Sequence, residues 1–372
     1  MNGIVLDWTR IVELKRTLPA EHSARLLADA EKALAVKPMS VIDKTGTPPS
    51  GDKRDFMSAG PYWWPDPARP DGTPYIRKDG HINPDSKSER YDRHRIDKFC
   101  SAVESLTLGY LLSGRKEFGE HARQLVKVWF INPTTRMNPH LKYGQHVPGV
   151  CDGRGIGIID TKILVGLVDD VTYLARAGAI PADEVAALQI WFCEYLTWLL
   201  EHEYGQKERQ EHNNHGTWWD VQACAFGLFC GRHETSREIL REAPIARIAK
   251  HIDAEGKQPH ELTRTRALTY SALNLQGLFA LAWMGRQLDL DLWKIDRLKL
   301  ALQFLKPYKD DEVKWPFEEL AVEEEFAIDA RIWVRDLLRQ GFWAWGEEFR
   351  VTIVGDSSAE SRSVVKWGAR SA

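Results

Sequence analysis

The sequence predicts an all-α protein, an (α/α) toroid built as an incomplete α/α barrel of six or seven helical hairpins with long substrate-binding loops. Three observations point there. Apolar residues recur at helical spacing from end to end, strand-type alternation is scarce, and no repeat of the roughly 33–47 residues that marks an open solenoid is visible. Sequential helical hairpins without such a repeat favour closure into alternating inner and outer helices.

The elements follow in order. Residues 21–36 set Ala24, Leu27, Ala30 and Leu34 on one stripe, residues 97–112 do so with Phe99, Val103, Leu106 and Tyr110, and residues 116–130 with Phe118, Ala122, Leu125 and Trp129. The same spacing predicts helices over 160–177, 183–202, 217–230, 236–252, 271–287, 295–305 and 327–341. Gly114 and Gly178 follow helical runs, Pro181 opens the next, and Pro307 follows another. Residues 37–96 and 131–158 are rich in Pro, Gly, Asp and aromatics and too long for plain connectors, so they read as ordered loops over a cleft. Residues 1–372 therefore read as one domain, with a partly mobile tail from about 345 that includes the Ser-rich stretch Asp356–Ser363.

Composition narrows the function. A net charge of -3 excludes strong overall attraction to nucleic acid or anionic membranes, but allows a local basic cleft for an acidic polymer. Five cysteines form no CxxC pair and read as reduced and structural. No apolar run approaches the roughly 20 residues needed to span a bilayer. The N-terminus Met1–Asp7 lacks a basic stretch followed by an apolar one, which points to a cytoplasmic protein, or to a periplasmic or secreted one whose signal has been removed. The 15 Trp suit a large helical core, and equally suit the C–H faces of sugar rings.

Three constellations could carry chemistry. In Ser58–Pro67, prolines on both sides stiffen a loop that presents Tyr62, Trp63 and Trp64 as a stacking platform, or packs them into a core gap. The run Gly153–Asp160 has a GxGxG pattern without a preceding strand, so the dinucleotide fingerprint fails. Its glycines would let Arg154 or backbone donors approach a carboxylate ligand, and Asp160 reads as a helix cap. At Asn213–Asp220 and the preceding His212, the histidines His212 and His215 lack the HExxH arrangement and a clear third ligand, so no metal is expected, and nothing in the proposed chemistry calls for an organic cofactor. Either Asn213 or Asn214 could cap the helix there, with Trp218 and Trp219 walling or bracing a cleft.

Together with Glu261–Tyr270, that last run supplies the parts of a uronate elimination site. Removing the C5 proton of a uronic acid requires donors that neutralise the C6 carboxylate as the enediolate develops. Asn214 and Arg264 are the donors, with His215 adjacent. The base must have a tuned pKa, and a phenol that ordinarily titrates near ~10 needs a nearby cation, which Arg264 offers Tyr270 six residues on. In D-configured residues the C5 hydrogen and the O4 leaving group lie on one side, so one tyrosine can act first as base and then as acid.

At these residues the sequence resembles the alginate lyase superfamily of polysaccharide lyases. The resemblance covers most of residues 55–320 and is carried by Ser58–Pro67, Asn132–Pro139, Gly153–Asp160, Asn213–Asp220 and Glu261–Arg264 with Tyr270. It implies an (α/α) toroid acting on an acidic polysaccharide. It further implies that Asn214 and Arg264 neutralise the carboxylate, that His215 assists or serves as base, and that Tyr270 is base and acid. Asn213 and Arg266 stand close enough in sequence to replace Asn214 and Arg264, and are counted with the substrate-binding residues. Relatives similar to this branch act on β-1,4-polyglucuronate as well as polymannuronate. Two other readings compete: a glycoside hydrolase using two of Asp160, Asp220 and Glu261, and a non-catalytic binder of acidic saccharides.

Overall fold

The computed structural model describes residues 4–5, 8, 18–321, 329–351 and 357–367. Of the N-terminal stretch Met1–Asp7 read for a targeting signal only Ile4 and Val5 are among them, and residues 327–328 of the last expected helix and Asp356 lie outside. The described chain is predominantly helical, with only two-residue to four-residue strands. It groups into two compact units interleaved in sequence: Leu27–Gln210 with Phe226–Arg232, and Asn2–Leu26 with Glu211–Ala225 and His233–Ala372. Helix α1 (Ala20–Ala33) contributes residues to both.

The first unit holds α2 (Arg93–Ser113), α3 (Lys116–Val126), α4 (Leu164–Arg176), α5 (Ala182–Glu201) and α6 (Glu203–Gln210). Their apolar faces meet in an aromatic core, in which Phe99 stacks on Trp129 at 4.9 Å and Phe130 meets Trp191 edge-on at 4.6 Å. The indole of Trp191 is buried and donates to Met137 O at 2.7 Å, so this tryptophan serves the helical core rather than a sugar face. Helix α6 was not foreseen, because its sequence EYGQKERQ has almost no apolar face to reveal.

The long segment 37–96 is ordered by buried polar anchors. The Lys44 ammonium meets the Asp92 carboxylate at 2.9 Å and also donates to Val41 O and Lys53 O, while Asp92 accepts from Met57 N at 2.8 Å. Burial holds the Asp92 carboxyl up to about 6, against the pull of Lys44. Strand β1 (Met57–Ala59) pairs parallel to β4 (Tyr143–His146), and β2 (Trp63–Trp64) pairs antiparallel to β3 (Ile76–Arg77).

Asp160 corrects an expectation. It lies inside the 3-10 turn Gly155–Thr161 rather than capping α4, and its carboxylate is a buried hub that accepts from Ser58 Oγ at 2.5 Å and Arg93 Nη1 at 2.7 Å. The neighbouring glycines serve chain packing. A Cβ on Gly153 would stand 2.0 Å from Lys142 O, and one on Gly157 2.5 Å from the Gly144 backbone, so these glycines let two stretches of backbone touch.

The second unit contains α8 (His233–His251), α9 (Ala267–Arg286), α10 (Asp296–Leu305), α11 (Ala330–Trp345) and α12 (Ser358–Trp367). It also holds most of α7 (Asn214–Phe229), whose last four residues belong to the first unit. Helix α9 is buried along nearly its whole length, as its apolar composition on every side requires. The tail beyond residue 345 includes the helix α12. On α12, Ser361 Oγ meets His22 Nδ1 at 3.0 Å and Ser363 Oγ accepts from Arg339 at 2.8 Å.

Candidate active site

The second unit brings Asn214, His215, Glu261, Arg264 and Tyr270 together from two stretches of chain. Asn213 begins the first: its Oδ1 accepts from His215 N at 3.0 Å, capping α7 and satisfying one of the amides left open at a helix start. Asn214 is then turned inward and is only 1% exposed. Its backbone N–H donates to Glu261 Oε1 at 2.6 Å and its Nδ2 to Glu261 Oε2 at 2.9 Å. Glu261 is itself 1% exposed, and burial pushes its carboxyl above the ordinary range, against the Asn214 donors and the nearby Arg264 and His215.

The second stretch runs from the helical turn Pro259–Leu262 into α9. Arg264 N donates to Glu261 O at 3.1 Å, and the Arg264 guanidinium lies over the Tyr270 ring with Cζ 4.1 Å from its centroid. Both side chains are half-buried, as is His215. Arg266 differs from Arg264. It is buried and its backbone pairs with Glu319, while its carbonyl accepts from Tyr270 N at 3.0 Å to start α9. The Glu319 carboxylate accepts from Leu268 N at 2.6 Å and Thr269 Oγ1 at 2.5 Å, an anion at the positive end of the helix that carries Tyr270.

The two indoles of the Asn213–Asp220 run divide in role. Trp219 is fully buried, whereas Trp218 is half-buried and its Nε1 donates to Leu273 O at 3.0 Å, bracing α7 against α9. The three carboxylates considered for hydrolysis are all committed. Asp160 is tied to Ser58 and Arg93, Asp220 is fully buried and paired with Arg247, and Glu261 holds Asn214. A hydrolase needs two carboxyl groups free to flank the scissile bond, so this arrangement disfavours that chemistry.

Histidines cluster beside the site: the His212 and His260 rings lie 4.8 Å apart, and His260 lies 6.2 Å from the buried His251. Burial, with Arg247 and His260 nearby, lowers the His251 imidazole to about 4. Among the described residues, no group of three His, Cys, Asp or Glu is placed to hold a metal ion.

The first unit assembles the other residues singled out by sequence. Trp63 and Trp64 form β2, the Arg154 guanidinium stands 5.5 Å from the Trp63 ring and donates to Gln145 Oε1 at 2.8 Å, and Trp64 donates to His81 O at 3.0 Å under Lys78. Tyr62 precedes them and is half-buried. An open cavity of about 840 Å³ in the second unit, walled by Trp283, Trp293, Trp343 and Trp345, is a separate feature. Trp283 lies 13 residues beyond Tyr270 on α9, roughly 20 Å further along the helix axis at 1.5 Å per residue.

The sequence matches the alginate lyase family model over residues 40–315. An alginate lyase from Bacteroides ovatus of known structure is 33% identical, with a TM-score of 0.88 and coverage of 98% of this chain and 99% of that one. Alginate lyase A1-III from a Sphingomonas species shares the fold at 13% identity, with a TM-score of 0.56 over 98% of this chain and 95% of that one. No curated protein matches the sequence. The fold is thus all-α, of the (α/α) toroid class, and the activity class it carries is that of a polysaccharide lyase. The chain belongs to the alginate lyase family.

Proposed function

We propose that the protein cleaves β-1,4-linked polyuronate, glucuronan or polymannuronate, by β-elimination, leaving 4,5-unsaturated oligouronates. The observation that carries this reading is the Arg264 guanidinium lying 4.1 Å from the centre of the Tyr270 ring, in the segment that Glu261 ties to Asn214, the residue before His215. A fixed cation over a phenol favours its ionised form.

In the proposed reaction, Arg264, His215 and the amide hydrogen that Asn214 does not give to Glu261 offset the C6 carboxylate charge. The Tyr270 oxygen removes the C5 proton, the electron pair forms the C4–C5 double bond, and the C4–O4 bond breaks. Tyr270 then returns the proton to O4, which restores the phenolate for the next turnover. Tyr62, Trp63, Trp64 and Arg154 are the proposed substrate-binding residues, able to stack on pyranose faces and to pair with carboxylates.

The test is incubation with polymannuronate, with glucuronan and with other polyuronates, following the ultraviolet absorbance of the unsaturated product. Absorbance rising on at least one of them is expected, with a rate indifferent to chelator. New reducing ends without the chromophore would select hydrolysis, and binding without turnover would select a non-catalytic role.

A further inference from the structure

Glu261 is where the two stretches of the site are clasped. Its backbone belongs to the turn that leads into Arg264 and Tyr270, and both oxygens of its carboxylate hold Asn214, 47 residues away in sequence, at the start of α7. We propose that Glu261 is a positioning residue for the elimination, setting the placement of Asn214 and His215 relative to Arg264 and Tyr270. This inference rests on the proposed function.

The choice of side chain supports it. Burying a carboxylate is costly, and the rise in its pKa reports that cost. Simple packing of α7 against the turn would be served as well by an apolar side chain. A carboxylate offers what an apolar group cannot, two acceptors at fixed separation. One takes the Asn214 backbone N–H, which places the start of α7, and the other takes Nδ2, which fixes which way the amide faces. An asparagine can otherwise turn its oxygen or its nitrogen to a given neighbour, and an oxygen turned to a uronate carboxylate would repel it. The clasp also lies next to Arg264, whose N–H donates to the Glu261 carbonyl, so the same residue sets the start of the segment that carries the guanidinium and the phenol.

Glu261→Gln tests this, because it keeps the volume but turns an NH2 group toward one of the two Asn214 donors. Steady-state kinetics on the polyuronate that the wild type degrades fastest would be measured for wild type, Glu261→Gln, Asn214→Ala and the double variant, with thermal unfolding of each. Displacements of about 1 Å cost up to ~100-fold in rate, so Glu261→Gln is expected to lower kcat by about 10-fold to 100-fold with KM within about threefold. The double variant is expected to lose clearly less than the product of the two single losses, because both changes break the bond from Asn214 Nδ2 to the Glu261 carboxylate while only the Glu261 change also disturbs the bond from the Asn214 backbone. Glu261→Asp, which keeps the charge but withdraws it by one methylene, is the second variant should Glu261→Gln not fold, and the same fall in kcat is expected. Wild-type kcat in a folded Glu261 variant, or rate losses that multiply in the double variant, would overturn the proposal while leaving the lyase reading intact. A wild type silent on every polyuronate would remove both.

Discussion

Tyr270 and Arg264 carry the chemical claim at the scale of single residues. Tyr270→Phe removes one oxygen and keeps the ring beneath the Arg264 guanidinium, so the fold should be unaffected. Loss of a general acid–base group of this kind lowers kcat by about 100-fold to 10,000-fold. Residual activity near wild type in the ultraviolet assay would move the base to His215, and His215→Ala would then be the decisive variant. The buried His251 sets a second prediction, on stability. Its folded pKa of about 4 lies below the ordinary imidazole value of 6.5, so the folded state prefers the neutral ring. That preference contributes fully above pH 6.5 and is lost as pH falls toward 4, on the order of 3 kcal/mol in all at 1.36 kcal/mol per pKa unit. Unfolding free energy measured across that window should fall, and His251→Asn should flatten the slope; an unchanged slope would show that other groups dominate acid unfolding.

Helix starts decide what the elements do. Asn213 was one of two asparagines able to cap α7, and because it takes the cap, Asn214 falls on the inward side where Glu261 meets it. At α9 the helix N-terminus is closed from outside by Glu319, from a segment 50 residues further along. Glu319→Ala should cost about 1 kcal/mol of stability, by analogy with other capping losses. It should also lower kcat, since Tyr270 lies in the first turn of α9, and parallel denaturant unfolding and kinetics would check both. A variant with normal stability and normal kcat would show that α9 starts correctly without the cap. The element pattern was largely legible in sequence because helical periodicity is local. The exceptions are equally physical: α6 is too polar to show a stripe, and α12 lay in a serine-rich stretch whose hydroxyls turned out to pair with His22 and Arg339.

For the whole molecule, substrate choice is the open variable that an assay can read directly. Glucuronan and polymannuronate differ at C2, so comparing kcat/KM on the two measures how the residues around the bound sugar treat that hydroxyl; a preference of 10-fold would correspond to about 1.4 kcal/mol of transition-state discrimination. By itself the sequence determined the helical class, the family resemblance and the kinds of group in the site, because periodicity and short motifs are carried by neighbouring residues. It favoured Arg264 over Arg266 and Asn214 over Asn213 on local context alone, and it made Asp160 a cap. What each of these side chains meets was decided by tertiary structure: Arg264 lies over Tyr270, Arg266 is buried with its backbone paired to Glu319, Asn214 is clasped by Glu261, and Asp160 is joined to Ser58 and Arg93. The physical reason is that most of these choices rest on burial and hydrogen bonds between residues tens of positions apart, and side-chain identity alone does not say which partner packing will supply.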